Sequence, residues 1–226
     1  NLHVQWADAH LLRGMELLGV TKPGPVYNNI IAGDSIQVPA IRNRTPDDRD
    51  LSLAIENFSR AMDFPVNLES ARDGKIAVAL YLRGSARQQS GDTAGARQDY
   101  LQLINFESIM GWGTGNWPEV SYCKAMALQR LGRKNEARDI FNQLIRQGKE
   151  LTVYKPHSAT DLSSVKQHHE IIQTQAEGYY CQALGNLGLG YQGTAEQLIS
   201  KALKMNPADI GALKYFSGFR NVRREP

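Results

Sequence analysis

"YYCQALGNLGLGYQGTAEQLISKALKMNP", Tyr179 to Pro207, reads as two helices that meet at Gly190. Five residues after that glycine stands Ala195, nine after Ile199 and twelve after Ala202, while Ala183 lies seven before it. The same frame surrounds Gly132, with Ala125, Ala137, Phe141 and Leu144 at those offsets, and Gly91, with Gly84, Ala96, Tyr100 and Leu103. A glycine ends a helix readily because a left-handed residue without a Cβ carries no steric cost. Small residues on both flanking helices let the axes approach, and the large side chain one turn later fills the space beside them. Pro207 cannot continue a helix and stops the last one.

Three copies of one frame make a repeat protein, because a lone helix pair cannot bury its apolar faces and must stack on a neighbour. The frame resembles the tetratricopeptide repeat, and so do the stretches from Ala77 to Ser108 and from Ser121 to Lys149. A fourth copy reads as split. "WADAHLLRGMELLG" (Trp6 to Gly19) resembles its first helix and "AIENFSRAMDFP" (Ala54 to Pro65) its second, around a Pro/Gly/Asn-rich insertion from about Val20 to Asp50. The anchoring glycines lie 41 and 58 residues apart, longer than the period of about 34, so loops between repeats take up the excess.

The expected fold is all-α, a single domain of stacked antiparallel helix pairs in a tetratricopeptide-repeat-like superhelix with long inter-repeat insertions. Residues 1–70 form the first repeat, split at about 20–50. The second covers 71–110 and the third 111–150. The fourth, with an N-terminal extension, covers 151–207, and a capping helix and tail occupy 208–226.

Composition agrees with that reading. No apolar run approaches the roughly 20 residues of a membrane span, so no membrane partner is expected. A net charge of +3 with dispersed basic residues is too mild for nucleic acid. The chain starts at Asn1 rather than Met, and a piece of a longer protein is expected. The sequons at Asn43 and Asn57 fit glycosylation in form only, since Asn57 falls in a helical pattern.

No residue pattern points to catalysis, a cofactor or a metal. "GWGTGNWPEV" (Gly111 to Val120) has the glycines of a phosphate loop, but no strand pattern precedes it and no Lys-Ser/Thr pair follows. It reads as an inter-repeat linker with Pro118 in the first turn of a helix, and Trp112 and Trp117 could form an aromatic lip beside a groove. His168, His169 and Glu170 are adjacent and point in different directions on a helix, unlike paired zinc ligands four apart. Cys123 and Cys181 both lie nine residues before their glycines. Equivalent places in stacked repeats are separated by about 10 Å, beyond the reach of a disulfide, so free and partly buried thiols are expected.

Tyr81, Tyr122 and Tyr180 each stand ten residues before a glycine. Ser85, Met126 and Leu184 follow four later, and Gln88, Gln129 and Leu187 three after those, which keeps each set on one helical face. The resemblance implies that this face lines a concave groove holding a peptide or a partner domain. The basic and asparagine residues that clamp a C-terminal carboxylate in chaperone-binding members are absent here, so an acidic-tail chaperone is not the expected partner.

"AIENFSRAMDFPVNLES", "LYLRGSARQQSGD" and the closing repeat also resemble the C-terminal repeat region of a family of large bacterial and fungal proteins. Those carry an upstream β-sandwich of the galactose-mutarotase type. That resemblance implies a carbohydrate-related context and names no catalytic residue in this chain. The expected function is a non-catalytic module that binds a protein segment or its own upstream domain. The alternative is an accessory domain that completes the active site of a carbohydrate-active enzyme, with Trp112 and Trp117 stacking on sugar.

Overall fold

The computed structural model describes residues 2–19, 46–63, 72–107, 118–155 and 164–207. Every regular element among them is a helix: α1 (Leu2–Leu17), α2 (Asp48–Met62), α3 (Arg72–Gln89), α4 (Thr93–Ile104), α5 (Pro118–Arg130), α6 (Lys134–Thr152), α7 (Ser164–Leu189) and α8 (Gln192–Met205). They fall into two compact units, one running to Asp99 and the other beginning at Tyr100. In the first, α1 packs on α2 and α2 on α3; in the second, α5, α6, α7 and α8 pack in chain order. Packing each element on its successor is the signature of a repeat array.

The three anchoring glycines, and Gly19 with them, end their helices as their chemistry demands. Gly19, Gly91, Gly132 and Gly190 have φ of 71°, 86°, 80° and 99°. The Gly132 N–H donates to the Gln129 carbonyl at 3.0 Å and the Arg133 N–H to that of Leu128 at 2.9 Å. Gly190 and Tyr191 repeat the pattern onto Leu187 and Asn186, the crossed bonding of a Schellman motif. The next residue turns the chain straight into the following helix: Arg133 and Tyr191 have φ, ψ of −82°, 57° and −83°, 64°, inverse γ-turns. Alanine five residues after the glycine then makes the first helical bond, from Ala137 to Arg133 and from Ala195 to Tyr191. Gly19 at the end of α1 shares the positive φ, and its N–H donates to the Glu16 carbonyl at 2.9 Å.

The two helices of a pair bury differently. α2 is buried along Leu51, Ala54, Phe58 and Ala61, and α6 along Ala137, Phe141, Leu144 and Gly148, single stripes at helical spacing. α5 buries Glu119, Val120, Tyr122, Cys123 and the run from Ala125 to Leu128, nearly its whole circumference. In the second unit α5 therefore lies in the interior and α6 packs over it along one stripe.

One boundary differs from the sequence expectation. α2 begins at Asp48, six residues before Ala54, so Asp48–Asp50 belong to a helix and not to the insertion. The cause is a capping box: the Asp47 side chain accepts from the Asp50 N–H at 2.8 Å, and Asp50 accepts from the Asp47 N–H at 3.4 Å. Pro118 opens α5, where the residue pattern puts it, and α7 begins at Ser164. The capping helix expected in 208–226, the glycines of the linker before Pro118 and most of the insertion lie outside the described residues.

Candidate functional site

The tyrosine row lies in the interior. Tyr81, Tyr122 and Tyr180 are 0, 0 and 3% exposed. In the first unit α3 carries Tyr81 and Ser85 buried and Gln88 exposed. In the second unit α5 carries Tyr122 and Met126 buried with Gln129 half-buried, and α7 carries Tyr180, Leu184 and Leu187 buried. The Tyr122 ring meets Phe141 of α6, centroids 5.8 Å apart and planes tilted by 50°, a favourable aromatic geometry. Spacing brought each set to one face; burial leaves only the glutamines within reach of solvent. Trp112 and Trp117 lie outside the described residues.

A second cluster was not legible as a site in the sequence. Asp99 on α4 is 1% exposed and receives Arg83 in a fork, Nη2 to Oδ1 at 2.7 Å and Nε to Oδ2 at 3.1 Å. Arg87 Nη1 adds a contact to Oδ1 at 3.0 Å. Arg83 Nη1 also donates to Ser59 Oγ on α2 at 2.9 Å, so one guanidinium joins α2, α3 and α4. The sequence signal was Asp99 itself. The equivalent residues, eight after the other glycines, are the apolar Ile140 and Leu198. Carboxylate and guanidinium match in a bidentate, charge-assisted geometry. This is a structural clamp that ties α3 and α4 to α2.

The remaining polar candidates are tied into the fold. The Asn57 amide donates to the Leu53 carbonyl at 2.8 Å, and its oxygen lies 2.8 Å from His10 Nδ1; a sequon held this way on a helix is not a glycosylation acceptor in the folded chain. His169 and Glu170 are exposed, and Glu170 accepts from the Tyr154 hydroxyl at 3.2 Å. Desolvation and then the nearby Glu170 charge hold the Tyr154 phenol above its usual range. Among the described residues no three His, Cys, Asp or Glu side chains gather as metal ligands. No described helix is long and apolar enough to cross a membrane.

Cys123 and Cys181 form no disulfide, as the repeat spacing implies, and both are buried rather than partly so. Burial, and secondarily the Glu119 carboxylate one turn earlier, push the Cys123 thiol well above its ordinary range. That suppresses the thiolate and with it the reactivity of the sulfur.

Residues 78–106 and 122–147 match the family model of the tetratricopeptide repeat. The matches run from α3 into α4 and from α5 into α6, the two pairs anchored on Gly91 and Gly132. Neither the curated proteins nor the solved structures give a match. With every described element a helix and two stretches that match this repeat, the chain has a tetratricopeptide-repeat-like helical fold; such repeats generally mediate protein–protein interaction.

Proposed function

We propose that this chain is a non-catalytic docking module for a polypeptide segment, and that the segment comes from the preceding part of the same protein. The observation that carries the reading is the pair of matched repeats, 78–106 and 122–147, on helices of the matching pattern. Each unit is a separate candidate surface, and on its tyrosine-bearing face the residue that solvent reaches is an amide, Gln88 on α3 in the first and Gln129 on α5 in the second. On the same helix as each amide lies a buried tyrosine, Tyr81 on α3 and Tyr122 on α5. Uncharged amides suit a neutral or mixed segment, because an acidic one would find no cation in these positions. The resemblance of "AIENFSRAMDFPVNLES" to proteins with an upstream β-sandwich supports an occupant within the same polypeptide. The carbohydrate alternative rested on Trp112 and Trp117 and draws no support from the described residues.

The test uses overlapping peptides covering the polypeptide encoded ahead of Asn1, titrated into the folded chain by calorimetry. One stretch should bind, and Gln129→Arg or Gln88→Arg, each with an unchanged melting temperature, should weaken it about tenfold or more, roughly 1.4 kcal/mol. Absence of binding by every peptide, or binding indifferent to both substitutions, would refute the reading.

A further inference from the structure

We draw no further inference here: the strongest candidate, the Ser85 hydroxyl buried on α3 between Tyr81 and Gln88 with no hydrogen-bond partner among the described residues, belongs to the face already described, and nothing in the structure shows what covers it.

Discussion

Gly148 on α6 and Gly178 on α7 approach so closely that neither position has room for a side chain. A Cβ on Gly148 would stand 2.5 Å from the Gly178 carbonyl oxygen, and one on Gly178 would stand 2.7 Å from that of Gly148. Further along the seam, a Cβ on Gly185 would meet the Phe141 carbonyl oxygen at 2.6 Å. The obstacle is backbone, which cannot rotate away as a side chain would. α6 and α7 thus meet backbone to backbone, and the glycines of α7 are required by this contact even though glycine is a poor helix former.

The first prediction sets this seam against an open helical glycine. Gly178→Ala should destabilise by roughly 1–3 kcal/mol through overpacking. Gly193→Ala on α8, where nothing lies within 4 Å of the added methyl, should stabilise by a few tenths to about 1 kcal/mol by restricting the unfolded chain. Urea melts of the two variants should move in opposite directions. Equal shifts would mean that the helices are not in this register.

The second concerns the clamp on Asp99. Asp99→Asn keeps the shape but removes the charge that Arg83 and Arg87 share. Solvent still reaches both guanidinium groups, with 14 and 23% of their side chains exposed, so the loss should be about 2 kcal/mol rather than the larger cost of a fully buried orphan charge. Arg60→Gln, which breaks an exposed pair with Glu56, should leave the melting temperature where it was. Differential scanning calorimetry on both variants decides the matter, and an unshifted Asp99→Asn melt would remove the clamp.

The third follows from the Cys123 thiol. Its folded-state pKa is raised, so the folded chain keeps a proton that the unfolded chain releases above about pH 8.5. The unfolded state then binds fewer protons, and stability contributed by this group falls as pH rises through that value. Cys123→Ala should flatten the decline in denaturant midpoint between pH 8 and 10. In the native protein a thiol reagent at pH 8 should leave both buried cysteines unmodified, and both should react in denaturant.

The fourth concerns the alanine five residues after each glycine. Ala137 is fully buried where α6 enters the packed interior, while Lys134 is exposed one turn earlier. Ala137→Leu should overpack and cost roughly 1–3 kcal/mol, and Lys134→Leu far less. Thermal melts that tolerate both equally would place the repeat frame in the wrong register.

The fifth separates a packing tyrosine from a surface anchor. Tyr122 is fully buried against Phe141, so Tyr122→Ala should cost about 3–5 kcal/mol of stability by the cavity it leaves. At this chain length each kcal/mol lowers the melting temperature by roughly 2–4 °C, an effect well outside error. A Tyr122→Ala variant with an unchanged melt would return the ring to an exposed wall.

Local chemistry was readable in the sequence because it depends on near neighbours alone. A glycine adopts φ near +80° without help from the rest of the chain, so Gly91, Gly132 and Gly190 marked the helix ends in advance, as did Gly19 for α1. The alanines at plus five, the lack of a disulfide between Cys123 and Cys181 and the start of α5 at Pro118 were readable from the local pattern. The capping box at Asp47 was equally local and could have been read from the spacing of Asp47 and Asp50. Tertiary structure alone decided the rest. Periodicity puts Tyr81, Tyr122 and Tyr180 at equivalent positions but cannot say whether a neighbour covers them, because burial depends on what packs opposite. Likewise Asp99 lies sixteen residues from Arg83, and Gly148 is far from Gly178 in the chain. Only the docking of one helix on another brings a carboxylate between two guanidinium groups, or leaves two backbones too close for a methyl.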